Sequence, residues 1–261
     1  MLPSFRVLFL IFALFFVSGE ATSQPHADPA SVSAAPPVIV IGFVGGFVRH
    51  DDRVHTEVQL VDRLREEYSS GVFGATFENH QGKAALKTVL HLLDANRDGT
   101  LTPQEKQNAR IIIFGHSWGA SETVELAREL GEEGIPVLLT IQVDSVSKLG
   151  ENDSVIPANV AQAINFYQLD GFLHGQSKIR AADPERTRIL GNFRYDYKSK
   201  PLTCGQYPWW DRAFMKPHIQ IECDPAVWKQ VESLIRSNLA LEARIAPTNE
   251  SNSSDSPFNN K

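Results

Sequence analysis

The sequence predicts an α/β fold, a mostly parallel sheet with helices on both faces, and three observations carry that prediction. Short, strongly apolar runs recur at residues 38–43, 72–77, 111–114 and 137–143; unbroken runs of this length suit strands buried on both faces. Stretches of helical period lie between them, with Val58, Val61, Leu64 and Tyr68 forming one apolar stripe and Val124, Ala127 and Leu130 another. Strand, helix and strand in alternation require right-handed crossovers, which lay helices on both faces of a parallel sheet. Functional groups in such sheets gather at the carboxyl ends of the strands.

Along the chain, Arg6 precedes eleven apolar residues, 7–17, and Ala21, Thr22 and Ser23 follow with small side chains. This is the pattern of an export signal over residues 1–23, which predicts a periplasmic or extracellular protein. Eleven apolar residues fall short of the about 20 that span a bilayer, so no transmembrane span is expected in the mature chain. Four prolines among Ala and Ser mark residues 24–37 as a disordered linker, and the Asn- and Ser-rich residues 244–261 read as a disordered tail. The folded domain is expected over residues 38–243. A net charge of −6 disfavours nucleic acid or an anionic membrane surface as a partner.

A fifth strand is expected over residues 160–167. Residues 169–217 lack periodicity and are rich in Gly, Arg and aromatics, so they read as an excursion that walls or covers a site. Asp224-Pro225 is a helix start, an N-cap acceptor followed by the residue best tolerated in a first turn, with Val227, Val231 and Leu234 facing inward. Cys204 and Cys223 are the only cysteines. In an oxidising compartment they are a disulfide candidate closing a loop around His218; two separate buried thiols remain the alternative.

The sharpest local pattern is Gly115-His116-Ser117-Trp118-Gly119, which follows the apolar run 111–114 and precedes the stripe of Val124, Ala127 and Leu130. A strand turning sharply into a helix holds its serine in a strained conformation with the hydroxyl raised, and the glycines relieve crowding at the turn. The helix start behind the serine favours developing negative charge. In these residues the chain resembles the α/β-hydrolase family, whose turn often reads Gly-His-Ser-x-Gly, and the resemblance extends in element order over residues 38–243. It implies Ser117 as a nucleophile followed in the chain by an acid and then a histidine. Asp144, directly after the run 137–143, is the favoured acid, as in small lipase- and thioesterase-like members; Asp170, after the fifth strand, is the alternative. His218, shortly before the last helix, is the expected base, with His174 as its rival. His116 lies within the turn, but adjacent residues there point apart. Gly42-Phe43-Val44-Gly45-Gly46 resembles the family's His-Gly-x-x-Gly oxyanion loop, with Ile41 in place of the histidine, and implies the backbone N–H groups of Phe43 and Trp118 as oxyanion donors.

A second pattern precedes the serine strand. Asp94, Asn96, Asp98, Thr100, Thr102 and Glu105, with Gly99 at the sharp turn and Leu101 at the apolar position, fit a twelve-residue EF-hand-like calcium loop. An apolar helix carrying Leu86, Val89, Leu90 and Leu93 enters it, and residues 102–109 leave it as a short helix. The structural alternative is that Thr102-Pro103-Gln104-Glu105 forms a capping box without a metal. The combined expectation is an exported serine hydrolase of small-molecule or lipid-like carboxylic esters or thioesters, with a structural Ca2+ ion and no organic cofactor. The competing reading is a non-enzymatic calcium-dependent binding or matrix protein on the same scaffold.

Overall fold

A computed structural model of the chain describes residues 36–245. The expected export signal, most of the expected linker and nearly all of the expected tail lie outside the described residues. The order of elements is β1 (Val38–Val44), α1 (Thr56–Glu67), β2 (Val72–Glu78), α2 (Gly82–Leu93), α3 (Pro103–Gln107), β3 (Ile111–His116), α4 (Trp118–Glu132), β4 (Val137–Val143), β5 (Val155–Ile156), β6 (Val160–Gln168), β7 (Arg180–Ala181), β8 (Arg188–Tyr195), α5 (Trp209–Phe214), α6 (Lys216–Glu222) and α7 (Pro225–Ile245). Among the described helices, none is long and apolar enough to cross a membrane.

Six strands form one sheet in the order β2-β1-β3-β4-β6-β8, every pairing parallel. The apolar runs of β1, β3 and β4 are buried along almost their whole length because both faces are covered. On one face, Leu60, Val61 and Leu64 of α1 and Val227, Trp228, Val231, Ile235 and Leu239 of α7 pack against Val40, Ile112, Phe114 and Ile141. On the other, Ala85, Val89 and Leu93 of α2 and Val124, Leu126, Ala127 and Leu130 of α4 pack against Ile39, Ile41, Ile111 and Ile113. This is the α/β architecture that the alternation of elements predicts, including the helix-loop-helix of α2 and α3 ahead of β3.

The structure corrects one expectation about the excursion. Residues 188–195 form the sixth strand, paired in parallel with β6, rather than belonging to an irregular wall. As an edge strand with mostly half-exposed side chains it lacks the apolar run by which the other strands are recognised. The rest of the excursion contributes the short β5–β7 pairing and the helix α5.

Candidate active site

The site is assembled where β1, β3, β4 and β6 end. Ser117 follows β3 and precedes α4, with φ 58° and ψ −127°. A non-glycine residue at positive φ costs about 1–3 kcal/mol and persists only where its surroundings over-determine it. Here they do: the Ser117 N–H donates to the Val143 carbonyl at 3.0 Å, while the Ser117 carbonyl accepts from Ala120, Ser121 and Val146. The hydroxyl is thereby lifted off the sheet edge toward α6.

The glycines of the turn act differently from the expected relief around the serine. A Cβ on Gly119 would lie 2.3 Å from the Phe43 carbonyl oxygen, and one on Gly115 would lie 2.5 Å from the Gly119 carbonyl. Both glycines let β1, β3 and the start of α4 close on one another. The residue whose side chain would strike the serine is Gly45, from the loop after β1: its Cβ would lie 2.7 Å from the Ser117 Cβ.

His218 projects from α6, a short helix that precedes the terminal helix α7. Its Nε2 lies 2.8 Å from the Ser117 Oγ and its Nδ1 lies 2.7 Å from the Asp144 Oδ2. Asp144 is fully buried at the end of β4. Its carboxylate also accepts from the Gln168 side-chain amide (2.7 Å), the Gln168 backbone N–H (3.1 Å) and the Gly175 N–H (2.8 Å). With those donors holding the carboxylate, Nδ1 of His218 is the atom that carries the proton, and Nε2 is left as an acceptor facing the hydroxyl. Cys204 and Cys223 are joined as a disulfide with their Cα atoms 5.9 Å apart. Because Cys223 directly follows α6, this bond anchors the helix that presents His218.

Of the alternatives, Asp170 faces elsewhere: it accepts the Tyr197 N–H at 2.7 Å and lies 3.8 Å from the Arg194 guanidinium. His174 is exposed in the loop after β6. Phe43, whose N–H is expected to serve the oxyanion, is a residue of the sheet. It sits within β1, its ring buried against Phe77 and its backbone in register with Phe77 and Gly115, while the loop beyond it, Gly45 to Phe47, borders the cleft. Strand pairing through Val44 keeps Phe43 in the sheet and moves the open backbone two residues on. Trp118 is the first residue of α4, so its N–H has no acceptor within the helix. Asn79 holds the Gly46 carbonyl, which fixes the orientation of the Gly46–Phe47 peptide.

The cleft over Ser117 has a volume of about 660 Å³, and its lining includes Phe47, Trp118, Leu173, Trp210 and Met215. Phe47 stands 98% exposed with its ring edge-on to Trp118 at 5.8 Å. Trp210 is half exposed on α5, and Trp209 beside it faces solvent. A similar groove of about 720 Å³ between α1 and α7 contains none of these groups.

A polar cluster unforeseen from the sequence lies beside the catalytic-type contacts. The His116 ring lies against His218 with centroids 4.4 Å apart and the rings tilted by 33°, and its Nδ1 is 3.3 Å from the Glu222 Oε2. The other Glu222 oxygen lies 2.5 Å from the His55 Nδ1. Burial pushes the His116 imidazole down to about 4, so it is neutral at pH 7. Burial also opposes the charge on His55, but the Glu222 carboxylate outweighs it and raises His55 to about 9. Burial drives the Glu57 carboxyl well above the usual range, and Glu222 adds to that. One signal in the sequence could have found Glu57: Leu60, Val61 and Leu64 follow it at spacings of three, four and seven, which puts its carboxylate on the buried face of α1.

In the loop between α2 and α3, where the sequence suggests calcium ligands, the side-chain oxygens turn back onto the loop's own backbone. Asp94 accepts from the N–H groups of Asp98 and Gly99, Asn96 from Asp98, and Asp98 from Thr100. Arg97 (φ 59°) and Gly99 (φ 84°) make the sharp turn. Thr102 and Glu105 form the capping box of α3, and the second Glu105 oxygen reaches back to the Ala95 N–H at 2.9 Å.

No protein-family model matches the chain, and no curated protein sequence does. Among solved structures, human thioesterase 2 is 12% identical, with a TM-score of 0.39 over 78% of this chain and 97% of that one. The RedJ thioesterase of the prodiginine pathway in Streptomyces coelicolor is 13% identical, with a TM-score of 0.33 over 77% and 98%. The fluorophosphonate-binding serine hydrolase FphF of Staphylococcus aureus is 10% identical, with a TM-score of 0.33 over 75% and 87%. Likenesses this distant leave the chemistry to be argued from the site itself.

Proposed function

We propose that the chain is a serine hydrolase that cleaves a carboxylic ester or thioester through an acyl-enzyme on Ser117. The observation that carries the reading is the unbroken hydrogen-bond chain from the Ser117 Oγ through His218 to Asp144. The hydroxyl oxygen attacks the acyl carbonyl carbon while His218 Nε2 takes its proton, and Asp144 stabilises the imidazolium that forms. His218 then returns the proton to the departing alcohol or thiol. Water attacks the acyl-enzyme by the same proton route and releases the acid. The Trp118 N–H at the start of α4 and an N–H of the Gly45–Phe47 turn are the donors suited to the oxyanion. The apolar wall of Phe47, Trp118, Leu173 and Trp210 suits a hydrophobic, lipid-like acyl group.

The connected side chains favour this reading over a binding protein, which has no need of a base aligned on a hydroxyl. A fluorophosphonate probe is expected to label the wild-type chain and not Ser117→Ala, and hydrolysis of short p-nitrophenyl esters is expected to vanish with the same substitution. Equal labelling of both proteins, or ester turnover surviving in the variant, rejects Ser117 as the nucleophile.

Two further parts of the reading rest on separate observations. The loop residues Asp94, Asn96, Asp98, Thr100, Thr102 and Glu105 offer only hard oxygen donors around the turn at Gly99, a set that fits Ca2+. The ion would supply electrostatic closure of the loop ahead of β3. Asp94→Ala combined with Glu105→Ala is expected to abolish the rise in melting temperature that calcium produces over chelator; a wild-type melt indifferent to calcium rejects the site. The N-terminal apolar run and the disulfide both suit export to an oxidising compartment, for which a mature N-terminus near Gln24 is the check.

A further inference from the structure

The His55–Glu57–Glu222 cluster plays no part in the proton path just described, yet it is built around a deficit. Glu57 is fully buried in the first turn of α1, and among the described residues neither of its carboxylate oxygens has a hydrogen-bond partner. Glu222, the last residue of α6, is also buried, and His55 immediately precedes α1. One ligand atom from each of the three lies within 4.8 Å of the other two. Two buried carboxylates this close repel each other, and an imidazolium at His55 can neutralise only one.

We propose that His55, Glu57 and Glu222 bind a divalent first-row transition ion of the zinc class. One neutral imidazole and two carboxylates bring two negative charges, which balance a divalent ion. They also give the Glu57 oxygens the partner they lack. A mixed nitrogen and oxygen set is unlike the all-oxygen set of the calcium loop and favours zinc over calcium or magnesium. Three protein ligands leave a coordination position for water, and His55 and Glu222 border the cleft from which both ion and water can enter.

The ion would tie the start of α1 to the end of α6. Glu222 lies one helical turn from His218, and His116, adjacent to Ser117, stands 3.3 Å from the same carboxylate. The site therefore stands behind the proposed base and would hold its helix in place. The inference does not rest on hydrolysis, because binding is read from the metal itself.

The test uses full-length protein freed of metal by chelation, then titrated with Zn2+ in excess Ca2+ so that the loop at Asp94 does not compete. Calorimetry is expected to show one tight equivalent that survives gel filtration, together with a higher melting temperature. Glu57→Gln and, separately, His55→Asn are each expected to weaken that equivalent at least tenfold. Glu57→Gln separates the proposal from its main rival, a proton shared between the carboxyls, because glutamine imitates a protonated glutamate in shape and charge. A wild-type protein that retains no zinc, with Glu57→Gln as stable as or more stable than wild type, overturns the metal site in favour of the shared proton. A His50→Gln/His80→Gln variant addresses the exposed imidazoles near Glu78. It is expected to bind zinc as wild type does, and loss of the equivalent in that variant also overturns the assignment.

Discussion

Asp144→Asn is the substitution whose consequences the site constrains most closely. Two donors, His218 Nδ1 and the Gln168 amide, meet the Oδ2 position, and two backbone N–H groups, of Gln168 and Gly175, meet Oδ1. An asparagine must point its NH2 at one of these pairs. Facing Oδ1, it confronts two backbone donors that cannot turn away. Facing Oδ2, it confronts His218, which can change tautomer and accept. The second arrangement is the less costly, and it puts the remaining imidazole proton on Nε2, directed at Ser117. The base is then blocked while the fold survives, with a stability loss of about 1–3 kcal/mol for the donor left unmatched at Gln168. A tautomer error of this kind costs about 10⁴ in kcat, or roughly 5.5 kcal/mol of barrier. Initial rates on a p-nitrophenyl ester, with a melting curve on the same sample, measure both effects. Asp170→Asn provides the contrast, because an amide oxygen can still accept the Tyr197 N–H and activity should stay within about threefold of wild type. Asp144→Asn active to within tenfold, or Asp170→Asn falling as far as Asp144→Asn, refutes the assignment of the acid.

Two further outcomes follow from contacts already described. Gly45→Ala places a methyl 2.7 Å from the Ser117 Cβ and 3.0 Å from the His116 carbonyl, neither of which can rotate aside; stability should fall by about 1–3 kcal/mol and kcat by about a hundredfold, measured by melts and initial rates. Metal-free protein should be most stable near neutrality, as denaturant titrations across pH will test. His116, faced by Glu222, His218, Asp144 and His55, has its folded value lowered from 6.5 to about 4, so its contribution is present above 6.5 and is lost as pH falls toward 4. His55, faced by Glu222, Glu57 and Asp52, is raised from 6.5 to about 9, so its contribution is present below 6.5 and is lost as pH rises through 9. Each limb is worth about 3 kcal/mol, and His116→Asn should flatten chiefly the acid limb and His55→Asn chiefly the alkaline one.

Much of the site could be read from the chain because its parts are coded locally. The strand before Ser117 announces itself by Ile111, Ile112, Ile113 and Phe114, buried on both faces, and Asp144 stands directly after another such run. What escaped is coded non-locally. β8 is recognisable only through its pairing with β6, since an edge strand carries no continuous apolar run. The turn that borders the cleft begins two residues beyond Phe43 because strand pairing persists through Val44, and register is a property of two strands together. Glu222 reads as an ordinary helix-end carboxylate until α6 is folded against His55 and His116.

By itself the sequence determined the layered α/β order, the sharp turn at Ser117, and the two acids and two histidines from which a triad could be drawn. Those features follow from periodicity and from steric rules that act within a few residues. Only the tertiary structure brought Asp144 and His218, rather than Asp170 and His174, into one hydrogen-bonded chain with Ser117, and joined the two cysteines. It also brought Glu57 and Glu222, 165 residues apart, into one buried pocket. Each of those outcomes depends on how distant segments pack across a shared sheet edge, and a hydrogen bond reaches only a few ångströms, so no spacing along the chain encodes it.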